Sequence, residues 1–148
     1  VAGCAYVDRK NRMKIQLELK DIIEVLKEGF KVVLYAESVA SNGEQVLPFK
    51  KTLITAAQLA KVPIRPFVFN VRSVNGGDVK YEHRDSVCWY GHQSFFGAIW
   101  RSLSLDSVTL EIEFLSLVYI DENISRDEIA KTIHKMVADK YVPFAPNM

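Results

Sequence analysis

Three histidines, His83, His92 and His134, are the side chains of this sequence best placed to exchange a proton near neutral pH. None has a partner at metal-ligand spacing, so no metal site is expected. His92 follows Gly91 in an aromatic-rich turn, a setting more often structural than catalytic. Lys50 and Lys51 stand side by side and could pair with an acidic ligand; a charged helix start in solvent accounts for them equally well. Arg9, Lys10 and Arg12 form the one tight basic cluster, with a solvated turn and the binding of an anionic group both open. Cys4 and Cys88 are far apart and lack metal-ligand spacing, so they read as reduced, structural thiols.

These residues must be positioned by alternating strands and helices. Val1–Val7 reads as a short buried strand and Asp8 to Arg12 as a charged turn. Ile15, Leu19, Ile22, Ile23 and Leu26 recur at helical spacing between Lys14 and Lys27, and Gly29 fits a left-handed cap. Lys31–Ala36 reads as a second buried strand, followed by a polar turn around Asn42-Gly43 and a helix over Thr52–Lys61. Ile64–Val71 is a third strand, and Asn75-Gly76-Gly77-Asp78 is a turn. Tyr81–Tyr90 reads as a further strand. Phe95–Leu103 is a short helix with Phe96, Ile99, Trp100 and Leu103 on one face. Val108–Tyr119 alternates like a half-exposed strand. Ser125-Arg126-Asp127-Glu128 is a capping box that starts a last helix running to about Tyr141. The alternation argues for an α/β fold with a central sheet, in a single domain over residues 1–148.

Three blocks then stand in order. The first is Gly3-Cys4-Ala5-Tyr6-Val7-Asp8-Arg9. The second is Val32 to Lys51, in which Glu37 ends a strand and Leu47-Pro48-Phe49-Lys50-Lys51 leads into a helix. The third is Val62-Pro63-Ile64-Arg65-Pro66-Phe67. Together they resemble the glycerophospholipid acyltransferase family, of the 1-acyl-sn-glycerol-3-phosphate type. Within the second block the family's Glu-Gly-Thr-Arg-Ser survives only as Glu37 and Ser41, because Ser38, Val39 and Ala40 replace Gly, Thr and Arg. The segment from Trp89-Tyr90-Gly91 to Trp100-Arg101 also looks like the one that follows in bacterial members.

The resemblance implies a fold and a set of roles. The fold would be a central mixed sheet flanked by helices, glycerol-phosphate acyltransferase-like and truncated at its N-terminus. Arg9, Glu37 and Lys50 would bind the acceptor, Arg9 through a phosphate or head group and Glu37 through a hydroxyl. The donor would be acyl-CoA or acyl carrier protein, and the acceptor a lyso-phospholipid such as lysophosphatidic acid. A membrane surface on the cytoplasmic side would be a further partner of the full-length protein, and no cofactor is implied. The family's general base belongs to a His-x-x-x-x-Asp motif upstream of the first block. No residue of this chain is therefore expected to be catalytic, and the chain alone is expected to be inactive. A catalytically inactive lipid- or acyl-binding domain of the same fold is the alternative.

Two decoys are set aside. His134 and Asp139 match the spacing of that motif at the wrong end of the chain, and on a helix a five-residue step turns by roughly 500° and parts them. His134 is expected to border a packed face. His83-Arg84-Asp85 has the order of a kinase catalytic loop, but Ser86 and Tyr90 replace the required leucine and asparagine. It reads as a surface turn. The aromatic run Trp89 to Trp100 is expected to be core, with an acyl pocket or a membrane surface as the other settings for such rings.

Composition narrows the rest. A formal net charge of +1 gives no electrostatic footprint for nucleic acid. No apolar run is long enough to span a bilayer.

Overall fold

The computed structural model describes residues 12–121 and 123–144. The expected strand Val1–Val7 and the block ending at Arg9 lie outside the described residues. Helix α1 (Arg12–Lys27) buries Ile22 and packs on helix α2 (Lys51–Ala60). It ends as the sequence suggests. Gly29 takes φ +89°, the Gly29 N–H donates to the Leu26 carbonyl at 3.1 Å and the Phe30 N–H to Val25 at 3.2 Å, a Schellman cap. α2 ends the same way with Lys61 in the left-handed region at φ 57°.

The sheet departs from expectation. Among the described residues it has two antiparallel strands, β1 (Phe67–Val74) and β2 (Val108–Phe114), rather than a central mixed array. Phe67 pairs with Phe114 and Val74 with Val108, with a register shift between Val71 and Ser73. The chain is thus α/β with a small sheet. Among the described residues, the expected strand Lys31–Ala36 joins no ladder. Its end is turned away: the Tyr35 carbonyl accepts from the Ser38 N–H and the Ala36 carbonyl from the Lys50 N–H at 2.8 Å. Tyr35 still packs its ring against Phe67 and Phe69 of β1, at 6.4 and 6.5 Å between centroids.

The expected strand Tyr81–Tyr90 is instead a 3-10 turn (Tyr81–His83) running into helix α3 (Arg84–Val87). His83 Nδ1 accepts the Lys80 N–H at 3.0 Å and starts the turn. Polar groups then hold it: the Tyr81 hydroxyl donates to Glu44 at 2.5 Å, Arg84 bonds Glu44 and stacks over the Tyr81 ring, and Tyr90 bonds Asp85. Helix α4 spans Phe95–Leu103 as read, with Ser94 capping Gly97. Its aromatic face is not core: Phe96 is 82 % and Trp100 77 % exposed. The apolar side of β2 (Leu110, Ile112 and Phe114) is likewise exposed.

Helix α5 (Arg126–Ala138) starts at the expected Ser125 cap, with Ser125 Oγ accepting the Glu128 N–H at 3.2 Å. It buries Ile129, Ala130 and Ile133 against Ile54 of α2, with Phe49, Ile64, Val118 and Ile120 around them. It ends before Tyr141, and the following tail is claimed by two other elements. Buried Asn70 of β1 donates to the Lys140 carbonyl at 3.0 Å and accepts the Val142 N–H at 2.8 Å. The Gly43 carbonyl accepts both the Phe144 N–H at 2.9 Å and the Tyr141 hydroxyl at 2.7 Å.

Candidate functional site

These elements border an open cavity of about 1400 Å³. Ile22 and Leu26 of α1, Ile54 and Ala56 of α2, and Val68 and Phe69 of β1 form walls, and Val137, Tyr141 and Phe144 close one side. The lining is mostly aliphatic and aromatic because α1, α2 and β1 all turn apolar residues toward it. Among the described residues, three charged ones border it: Lys31, Glu37 and Arg65. A shallower hollow of about 770 Å³ lies between α2 and the start of α5, and its Lys51 is already paired with Asp127 at 2.9 Å.

Glu37 sits half-buried on the cavity wall, and its Oε2 accepts the Leu47 backbone N–H at 2.8 Å. The loop between them is closed by that bond. Gly43, within the loop, takes φ +76°, and a Cβ there would fall 2.6 Å from Phe144 Cδ2 and 3.2 Å from Cys88 Sγ. The loop is therefore pinned at Glu37, at Gly43 and, through Glu44, at α3. Ala40 and Ser41 lie on the cavity wall within it.

Lys50 is exposed at the start of α2. Its backbone N–H bonds the carbonyl next to Glu37, so the chain brings the two residues to the same shoulder, but Lys50 is not among the residues that line the cavity. Arg9 lies outside the described residues. Reading the sequence missed Lys31, Arg65 and Tyr141 as wall residues. The signal for Arg65 stood in the open: it fills the variable position of Val62-Pro63-Ile64-Arg65-Pro66.

Burial pushes the Tyr141 phenol up to about 12, with Cys88 and then Glu37 adding to the effect. Burial also raises the Cys88 thiol, with Asp85 adding and Arg84 opposing, which disfavours a nucleophilic thiolate. His134 Nε2 lies 3.1 Å from the Val46 carbonyl and its ring meets Phe49 edge-on at 5.3 Å, while Asp139 pairs with Lys135 at 2.7 Å. The two are spent on separate structural contacts. No group of three or more metal-ligating side chains is gathered among the described residues, and no helix there is long and apolar enough to cross a membrane. The mostly apolar lining suits a long apolar chain, with Glu37 and Arg65 as charged groups on its wall.

Residues 1–70 match the family model described as Acyltransferase. A lyso-ornithine lipid O-acyltransferase of Brucella abortus (strain 2308) is 27% identical over 139 residues, covering 89% of this chain and 52% of that protein. A protein of the same name from Rhizobium meliloti (strain 1021) is 24% identical over 146 residues, covering 91% and 50%. A 1-acyl-sn-glycerol-3-phosphate acyltransferase of Neisseria gonorrhoeae is 26% identical over 142 residues, covering 93% and 53%. The chain spans about half the length of these curated relatives. No solved structure matches.

Proposed function

We propose that this chain is part of an acyltransferase, as its match to that family model and its lipid-acyltransferase relatives support, and that the protein containing it moves a fatty acyl group from an acyl-CoA or acyl carrier protein thioester to the hydroxyl of a lyso-lipid. The cavity is the observation that carries this reading: about 1400 Å³, mostly apolar, with Glu37 of the family block on its wall. It exceeds the roughly 300–1000 Å³ of pockets for drug-sized ligands, which leaves room for a long acyl chain.

In this reading residues 1–148 are part of one acyltransferase domain, and the two-stranded sheet belongs to a larger mixed sheet. The acceptor oxygen attacks the thioester carbonyl carbon, the hydroxyl proton passes to a base, and the tetrahedral intermediate collapses with loss of the thiolate. The base in this reading is the histidine of the family's His-x-x-x-x-Asp motif, supplied by the full-length protein. This chain holds the acceptor. Glu37 uses Oε2 to keep its loop closed and Oε1 to orient the hydroxyl-bearing end of the acceptor. Arg9 and Lys50 supply positive charge near the head group. The full-length protein works at a membrane surface on the cytoplasmic side, where lyso-lipids are found.

Ala40 bears on the acceptor. The family's arginine at this position would make a charge-assisted contact to a phosphate, worth about 1.5–3 kcal/mol. An acceptor with an amino-acid head group has less need of it. An ornithine head group carries carboxylate and ammonium groups, which match Arg65 and Glu37 on the cavity wall. The two lyso-ornithine lipid relatives favour this acceptor over lysophosphatidic acid.

The test is turnover by the full-length protein with long-chain acyl-CoA or acyl carrier protein and each lyso-lipid in turn, read as diacylated product. Product from lyso-ornithine lipid exceeding that from lysophosphatidic acid is expected. Binding of lyso-lipid without product from any acceptor would instead establish the inactive lipid-binding domain.

A further inference from the structure

We propose that the exposed face of α4 is a docking surface for an anionic phospholipid bilayer; this rests on the lyso-lipid acyltransferase reading and locates its membrane contact. The helix is mounted the reverse way from an ordinary surface helix, which turns its apolar side inward. Its polar side chains hold it to the molecule. Arg101 Nε donates to the Asp85 carbonyl at 2.9 Å and Nη2 to Gln93 Oε1 at 2.9 Å, and Ser102 Oγ donates to the Ser86 carbonyl at 2.6 Å. Ala98 is buried beneath. Phe96, Ile99, Trp100 and Leu103 follow one another at helical spacing on the outward side, and Phe96, Trp100 and Leu103 are each at least 75 % exposed. Trp89, Phe95 and Phe96 prolong this face as a ridge, with ring centroids 5.6 and 5.7 Å apart.

Charge favours a lipid occupant. Residues 86–105 contain no aspartate or glutamate. The adjoining Asp85 carboxylate is taken by the Tyr90 hydroxyl and lies 3.6 Å from Arg84 Nε. Residues 86–105 thus bring no carboxylate of their own against an anionic leaflet, and the inward Arg101 guanidinium, bonded to the neutral Asp85 carbonyl and Gln93, keeps its positive charge behind the face. The side chains fit the boundary between head groups and acyl chains. Phe96 and Leu103 enter the apolar side, and the Trp100 indole N–H reaches lipid carbonyls and phosphates.

The experiment uses the full-length protein and vesicles of phosphatidylglycerol with phosphatidylcholine. Partition is measured by co-sedimentation for the wild type, Phe96→Ser, Trp100→Ser and, as a control, Leu59→Ser on exposed α2. Acyl transfer to a detergent-dispersed lyso-lipid is measured in parallel, and circular dichroism checks each fold. Removing a Phe or Trp from an apolar environment should lower vesicle partition roughly tenfold or more, with Leu59→Ser unchanged. Brominated lipids should quench the emission that Trp100→Phe removes. Retained transfer in detergent supports both readings. Lost partition with no transfer by any variant or the wild type leaves the docking surface standing and removes the enzymatic reading. Unchanged partition for both α4 variants overturns the docking surface, whether or not they alter self-association. Equal loss in Leu59→Ser overturns it as well.

Discussion

Glu37 Oε2 accepts the backbone N–H of Leu47 at 2.8 Å across ten residues, so the carboxylate on the cavity wall also fastens the loop that carries it. The two roles separate by substitution. Glu37→Gln keeps a side-chain oxygen for the Leu47 N–H, and Glu37→Ala does not. Both should reduce kcat/KM in the full-length protein, by about ten- to a hundredfold for a lost charge-assisted contact. Only Glu37→Ala should also lower stability, by about 1 kcal/mol. Kinetics with thermal unfolding decide between them. Normal activity with a large loss of stability would make Glu37 a loop fastener and nothing more.

Arg9 and Ala40 set the charge presented to the acceptor. If the acceptor is a phosphomonoester, Arg9→Ala should lower kcat/KM by about ten- to a hundredfold, and Ala40→Arg should restore part of the loss. For a lyso-ornithine lipid, Ala40→Arg should bring little gain. Kinetics of the single and double variants on both acceptors supply the cycle. No effect of either substitution on any acceptor would remove both positions from the site.

The Gly43 backbone leaves no room for a side chain. Gly43→Ala puts a Cβ 2.6 Å from Phe144 Cδ2 in a residue held at φ +76°. A loss of about 1–3 kcal/mol is expected, from overpacking and left-handed strain together. Denaturant unfolding checks it, and a wild-type midpoint would show that the tail detaches from the loop without cost.

Asn70 holds the tail from the other side with two hydrogen bonds and is 1% exposed. Asn70→Leu is of similar size but leaves the Lys140 carbonyl and the Val142 N–H without it. About 2–4 kcal/mol of stability should be lost, and amide exchange at Val142 should quicken. Slow exchange at Val142 in that variant would contradict the clamp.

Tyr141 gives the fold an alkaline limit. Its phenol is raised from the usual 10.0 to about 12 in the folded chain. Between those values the unfolded chain releases the proton first, so its contribution is full below pH 10 and is lost as pH rises toward 12. Because the phenol is partly exposed and its interactions are screened, the loss amounts to about 1–2 kcal/mol. Tyr141→Phe should flatten stability across that window in urea unfolding. An unchanged slope would assign the alkaline loss to other groups.

Much of the chain was legible where local rules govern. Ser125, Gly29 and the apolar periods of α1, α4 and α5 placed those helices to within a few residues, because caps and periodicity act over one or two turns. Lys31–Ala36 failed because the Tyr35 and Ala36 carbonyls are claimed by Ser38 and Lys50, a competition that hydrophobicity does not reveal. Tyr81–Tyr90 failed because a side-chain network from Glu44, distant in sequence, stabilises a helical turn there. The aromatic face of α4 was misassigned to the core because periodicity shows that a face exists and not which way it is mounted. For the site, the family blocks contained both Glu37 and Arg65, while Tyr141 required the fold to bring it to the cavity.

In the proposed function, the cavity between α1, α2 and β1 holds the acyl chain of a lyso-lipid whose head lies at Glu37. A lyso-ornithine lipid with a photoreactive diazirine near the end of its acyl chain, irradiated with the full-length protein, tests it most directly. Mass spectrometry should place the adducts on cavity residues such as Ile22, Ile54, Ala56 and Val68, and excess unlabelled lyso-lipid should abolish them. Adducts confined to α4 or scattered over the surface, with none in the cavity under saturating ligand, would contradict the account.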